Sequence, residues 1–212
     1  MPSQQFSKLP EQRRQQIIRA GLEEFAGHGY ELASTNRIAQ RADISKGALF
    51  KYFHDKETLF LHVCDVCLQD YVATMPHGPV DDLFAFIRSR TLYKMRFMRE
   101  RPLTYQLLVR IAKEPTHPVY ARAMGSQLLM AQQYMAELQK NLPQGVLREG
   151  VDWRHVLDLV TWIGLGLQER FKDSLPDAVD GDFEQSYQSM IDELDVVLDI
   201  LKFGIYRKEE HP

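Results

Sequence analysis

The sequence predicts an all-α fold of about nine helices, and three observations predict it. Ten prolines, at positions 2, 10, 76, 79, 102, 115, 118, 143, 176 and 212, leave long proline-free stretches between them. Those stretches carry apolar residues at helical spacing. No convincing period-2 pattern of a strand appears. No internal repeat and no low-complexity segment interrupts the reading.

The first helix runs from about Glu11 to Gly27, with Ile18, Leu22 and Phe25 as its stripe and Arg13, Arg14 and Arg19 off it. Gly27 and Gly29 supply the stop, because glycine tolerates the left-handed conformation of a helix C-cap. A second helix starts at Ser34 or Thr35 and carries Ile38, Ala39 and Ala42 inward. A tight turn at Asp43-Ile44 leads to a short third helix from Ser45 to about Phe53. Asp55 caps a fourth helix, whose stripe is Leu59, Phe60, Val63, Val66 and Cys67. Five more helices are expected near 80–100, 102–113, 118–141, 152–172 and 182–206. The last two have long apolar seams. One is Val156, Leu159, Val160, Ile163, Leu167 and Phe171. The other is Tyr187, Met190, Ile191, Leu194, Val197, Leu198, Leu201 and Ile205.

The chain has 212 residues, 44% hydrophobic and 26% charged, which suits one or two soluble domains with a proper core. Its net charge of −3 excludes a polybasic binder, but the charge is uneven. Residues 1–60 hold nine Lys/Arg against seven Asp/Glu, and the remainder holds seventeen against twenty-two. A slightly basic N-terminal module hints at a polyanion partner there. There is no signal-peptide pattern and no apolar run near twenty residues, so a soluble cytoplasmic protein with no membrane partner is expected.

Enzyme classes are poorly supported. There is no Gly-rich phosphate loop after a strand, no Gly-x-Ser-x-Gly elbow and no His-Glu-x-x-His. No catalytic residue, metal or cofactor is therefore expected. Cys64 and Cys67 lie well inside a helix, and two thiolates alone do not complete a zinc site, so they read as packed and reduced.

The third helix is the unusual one. Advanced by 100° per residue, Leu49, Phe50 and Phe53 fall on one arc, the expected packing face. Gly47, Ala48, Lys51 and Tyr52 fall on the other. Lys46 falls toward the packed side but stands in the first turn, where its stem can reach outward. Two short helices joined by a tight turn, the second exposing small and basic residues, are what a helix-turn-helix needs to approach a major groove. Ser45 and Lys46 can donate to base edges or phosphates, and Lys51, Tyr52, Thr35 and Lys56 to flanking phosphates. An amphipathic helical hairpin with a solvated basic face fits the same spacing.

The stretch from Thr35 to Phe60, with Ile38-Ala39, Ala42-Asp43-Ile44-Ser45-Lys46-Gly47-Ala48-Leu49-Phe50-Lys51-Tyr52-Phe53 and Lys56 to Leu59, resembles the DNA-binding signature of the TetR family of bacterial transcriptional regulators. Ile17-Ile18, Ala20, Phe25 and Gly29-Tyr30 upstream also fit it. Two positions depart. Asp43 stands where the family usually has glycine, and aspartate is among the few residues that tolerate the left-handed region. Phe50 stands where tyrosine is common, so a phosphate-contacting hydroxyl is missing there.

The resemblance implies a DNA-binding domain at 11–71, with its motif at about 34–53, and an effector-binding and dimerisation domain at 72–212. It implies DNA contacts by Thr35, Ser45, Lys46, Gly47, Ala48, Lys51, Tyr52 and Lys56. It implies a homodimeric repressor on a near-palindromic double-stranded operator. The last two helices would meet their copies through Val156, Leu159, Ile163, Leu167, Met190, Leu194, Val197, Leu198 and Leu201. An apolar or amphipathic small-molecule inducer would bind among the fourth to eighth helices. Phe84, Phe86, Tyr93, Met95, Phe97, Met98, Tyr105, Met124, Met130 and Tyr134 suit such a pocket and an ordinary core equally. Arg88, Arg90, Arg96 and Arg110 are read as solvated more readily than as a carboxylate anchor. The rival class is a helical adaptor acting through protein contacts, with a vestigial N-terminal module.

Overall fold

The computed structural model describes residues 1–75, 82–114, 116–125, 147, 149–171 and 183–205. The regular elements among those residues are all helices, with no strand. The helices are α1 (Gln4–Ser7), α2 (Glu11–Leu32), α3 (Thr35–Arg41), α4 (Lys46–Tyr52), α5 (Lys56–Ala73), α6 (Leu83–Glu100), α7 (Pro102–Lys113), α8 (118–125), α9 (Trp153–Phe171) and α10 (Phe183–Ile205). The all-α expectation holds, and α1 is an addition to it. Residues 126–141 of the expected 118–141 helix, with Met130 and Tyr134, lie outside the described residues.

The chain divides into two compact units, 1–74 with 100–132, and 75–99 with 133–212. In the first, Ile17, Ala20 and Phe25 of α2, Ile38 and Ala39 of α3, Leu49 of α4 and its C-cap Phe53 share one core with Leu59, Phe60 and Val63 of α5. Leu107 and Ile111 of α7 and Tyr120 of α8 complete it. The buried stripe of α2 is rotated from the expected one. Ile17, Ala20, Gly21 and Glu24 are buried beside Phe25, whereas Ile18 and Leu22 are only half-buried.

Local signals account for the boundaries. The side chain of Ser34 accepts from the Arg37 N–H at 3.4 Å, so Ser34 rather than Thr35 caps α3. Ser45 caps α4 by accepting from the Ala48 N–H at 3.1 Å. Asp55 caps α5 by accepting from the Thr58 N–H at 2.6 Å. Helix α2 breaks at Gly29, where φ is +70°. A side chain there would also strike the Tyr120 hydroxyl at 3.0 Å, so both backbone and space demand glycine.

In the second unit, Leu83, Phe84 and Ile87 of α6 pack with Val156 and Leu167 of α9 and Leu194 and Leu198 of α10. Met95 packs with Tyr187, Met190 and Ile191. Two ion pairs reach α10: Arg88 of α6 to Asp195 at 2.6 Å, and Asp82, just before α6, to Lys202 at 3.0 Å. Among the described residues, no helix is long and apolar enough to cross a membrane.

Candidate nucleic-acid interface

The α3–α4 turn is built from backbone bonds. The Asp43 N–H donates to the Gln40 carbonyl at 3.1 Å, and the Ile44 N–H to that of Ala39 at 3.0 Å. Asp43 has φ +51°, the left-handed conformation expected for this position. Its carbonyl accepts from Arg13 Nη2 at 2.5 Å, which ties the turn to α2.

A buried carboxylate fixes α3 against α2. Glu24 is fully buried, accepts from the Ser34 N–H at 2.9 Å and Arg37 Nε at 2.8 Å, and accepts from Arg41 Nη1 at 2.8 Å through its other oxygen. Burial by itself would raise its pKa. The Arg37 guanidinium and the Ser34 N–H outweigh burial and hold it down to about 2. The sequence reading missed Glu24. Its signal was available, since Glu24 stands seven residues after Ile17 on the buried stripe, and Arg37 and Arg41 share a face of α3.

On α4, Leu49 and Phe53 point into the core and Ser45, Lys46, Gly47 and Lys51 are exposed. Ala48 and Tyr52 are half-buried. Phe50 departs from its expected packing role. It is exposed, and Lys46 Nζ stands 6.0 Å from its ring centroid. Phe50 lies about 100° around the helix from Leu49, whereas Leu49 and Phe53, four apart, share the buried side. A side chain at Gly47 would meet only Ser45 Oγ, at 3.9 Å, so internal packing gives no reason for glycine there.

Thr35 is half-buried at the first position of α3. Lys56 is committed elsewhere. Its ammonium donates to the carbonyls of Tyr30 at 2.8 Å, Glu31 at 3.2 Å and Ala33 at 3.4 Å. The end of α2 beside it also holds α7 and α8. The Tyr30 N–H donates to Tyr120 Oη at 2.9 Å, Arg110 Nη2 donates to the Ala26 carbonyl at 3.3 Å, and His117 Nε2 lies 2.9 Å from Glu31 Oε1. Arg110 is therefore part of this junction.

Residues 17–63 match the family model of bacterial regulatory proteins, tetR family. Residues 17–63 are therefore a TetR-family domain. The HTH-type transcriptional repressor AcnR of Corynebacterium glutamicum is 29% identical over 147 residues, 67% of this chain and 72% of that one. The AcnR of Corynebacterium diphtheriae is 47% identical over 49 residues, which cover 23% of this chain and 26% of that one. A TetR-family regulator structure from Chloroflexus aurantiacus aligns over 98% of this chain and all of its own, with a TM-score of 0.63 at 23% identity. A transcriptional regulator from Streptomyces coelicolor aligns over 87% and 97%, with a TM-score of 0.57 at 26% identity. This chain is a DNA-binding transcriptional regulator and not an enzyme. Among the described residues, no cluster of His, Cys, Asp or Glu is arranged to hold a metal ion.

On the chain's last helices, several residues of the expected interface pack inside their own unit. Val156 and Leu167 of α9 and Met190, Leu194 and Leu198 of α10 are buried in the unit's own clusters, and Ile163 and Leu201 pack partly against them. The outward apolar residues are Leu159, Trp162 and Leu165 on α9 and Val196, Ile200 and Phe203 on α10, with Trp162 at 66% and Phe203 at 74% exposure. Val197 is half-buried. The two helices carry more apolar residues than one face holds, so most of the seam residues build the core and a second set, of which only Leu159 belongs to a seam, is left on the surface. Side-chain statements for Val160, Phe171 and Ile205 lie outside the described residues.

Proposed function

We propose that the protein is a ligand-responsive repressor that acts as a homodimer on a near-palindromic operator. Residues 11–71 read DNA, and residues 72–212 bind the effector and dimerise. The observation that carries this reading is the exposed face of α4. Ser45, Lys46, Gly47 and Lys51 face outward, and glycine there serves no internal contact. A helix that needed only stability would place a better helix former at position 47. Gly47 and Ala48 bring the backbone to the groove floor, Ser45 and Lys46 reach base edges, and Thr35, Lys51 and Tyr52 hold phosphates. Lys56 contributes by fixing the end of α2.

Dimerisation is supported by the outward row on α9 and α10. Leu159 and Trp162 stand three apart, and Val196, Ile200 and Phe203 follow at four and three. Two such helices from each subunit make a self-complementary four-helix contact. The effector is a small apolar or amphipathic molecule. It acts by differential affinity for two states of the α5–α7–α8 junction around Tyr30 and Tyr120. A coupling of about 1–3 kcal/mol gives 5- to 150-fold, and operator DNA must weaken the effector by the same factor.

The test is selection of duplexes from a random-sequence library of about 20 base pairs, followed by titration of the winner at several salt concentrations. With about three phosphates held per half-site, log affinity falls against log salt with a slope of roughly −5. Salt-independent binding, or no enrichment of any palindrome, removes the proposal.

A further inference from the structure

The reading helix is unusually short to hold a rigid pose. Helix α4 has seven residues, and isolated helices of this length do not persist in water. Its last carbonyls also have no partner within the helix. Two of them are met from 48 or more residues away. Ser3 Oγ donates to the Lys51 carbonyl at 2.9 Å, and the Ser3 N–H donates to the Tyr52 carbonyl at 2.9 Å. The same hydroxyl accepts from the Phe6 N–H at 3.4 Å, so one oxygen caps α1 and ties it to α4.

Phe6 anchors this arrangement. It is 4% exposed, with its ring 4.8 Å from Phe53, 6.2 Å from Tyr52 and 5.4 Å from the His62 ring of α5. Burial pushes the His62 pKa down, which disfavours a charged ring beside these aromatics. Helix α1 therefore touches the last turn of α4 through two hydrogen bonds and an aromatic cluster. The two residues whose carbonyls it holds, Lys51 and Tyr52, are the ones whose side chains reach for phosphates.

We infer that residues 3–6 are a brace on the reading helix, with Ser3 and Phe6 as positioning residues for DNA binding. This rests on the proposed role of α4. Loss of the brace lets the last turn of α4 fray, and the side chains of Lys51 and Tyr52 then lose their fixed aim. Ser3 is suited to this work because a hydroxyl both donates and accepts. An aspartate at the same position still caps α1 but has no proton to give the Lys51 carbonyl at neutral pH. A threonine keeps both bonds.

The experiment compares the full-length wild type with Ser3→Asp, Ser3→Thr and Phe6→Ala, by hydrogen exchange without DNA and by titration of the library-selected duplex. In Ser3→Asp and Phe6→Ala, the amides at the end of α4 should exchange about five- to tenfold faster, as expected for loss of one or two net hydrogen bonds. Affinity for the duplex should fall about tenfold. The salt slope should become shallower by roughly 1 per reading head for each phosphate no longer held. Ser3→Thr should match the wild type in all three. A purely structural role would lower the melting temperature and leave the salt slope unchanged. Unchanged exchange in Ser3→Asp overturns the brace, as does faster exchange with wild-type affinity and slope. If the wild type selects no duplex while the exchange difference persists, the reading of α4 as a DNA-binding helix fails and the brace on α4 stands.

Discussion

Lys56 Nζ lies 2.8 Å from the carbonyl oxygen of Tyr30 and 4.5 Å from the centroid of the Tyr30 ring. The first residue of α5 thus closes the broken end of α2, where Gly29 has turned the chain left-handed. A lysine at a helix start, in a motif associated with phosphate contact, is here satisfied by the chain's own carbonyls.

Lys56→Met keeps the stem and removes the ammonium, leaving the part-buried carbonyls of Tyr30 and Ala33 without this donor. The expected loss is about 1–3 kcal/mol in urea denaturation. The salt slope of DNA binding should stay as in the wild type. Lys51→Ala should do the reverse, with stability kept and all duplexes bound more weakly. A Lys56→Met protein of unchanged stability whose DNA binding shows a shallower salt slope would return Lys56 to the DNA interface.

Glu24 gives a pH dependence with a definite sign. Its folded value of about 2 lies below the ordinary 4.5. The stabilisation is therefore complete above about pH 4.5 and is lost as pH falls toward 2, and it amounts to at most about 3 kcal/mol. Glu24→Gln should be the less stable protein at pH 7, and the gap should close between pH 4.5 and 2. Denaturation curves at a series of pH values measure this. A gap that stays constant down to pH 2 would show that Glu24 acts by shape alone.

Gly47→Leu separates fold from recognition. The added side chain enters open space, since the first Cβ neighbour is Ser45 Oγ at 3.9 Å. Removing glycine from a helix also gains up to about 1 kcal/mol. The variant should melt at or above the wild-type temperature and fail to hold the selected duplex. Tight binding by Gly47→Leu would place the groove-facing surface elsewhere.

The outward row of α9 and α10 should respond differently from the inner seam. Ile200→Asp and Phe203→Asp should yield a folded monomer by light scattering, with helical circular dichroism kept and operator binding lost. Linking two half-sites supplies affinity that one head lacks. Leu198→Asp buries a carboxylate among Phe84, Val156 and Leu194, so it should unfold its unit instead. Dimers that survive both outer substitutions would move the interface off these helices.

Helix existence and most caps were legible in the sequence because they depend on neighbours along the chain. Ser34, Ser45 and Asp55 cap as their residue types predict, and Asp43 takes the left-handed turn. What escaped was decided by partners distant in sequence. The Ser3 bonds span 48 and 49 residues, and Tyr30 meets Tyr120 across 90. Glu24 was hidden for another reason: a carboxylate on a buried stripe looks like an error in the stripe until its two arginines are found. The seams of α9 and α10 were found correctly as apolar, but periodicity alone does not say which of two adjacent faces turns inward.

The buried pair on α5 has a practical consequence. Burial pushes the Cys64 thiol well above its ordinary value and the Cys67 thiol up to about 12. Because the thiolate is the nucleophile that attacks a maleimide, both buried cysteines should react only slowly with maleimides at neutral pH in the folded protein. The chain contains no others. A cysteine placed at an exposed site such as Gln12 on α2 would therefore take a spectroscopic label alone, with the native pair left in place. The distance between two such labels in the assembled regulator would report directly on the separation of its reading heads, with and without an effector.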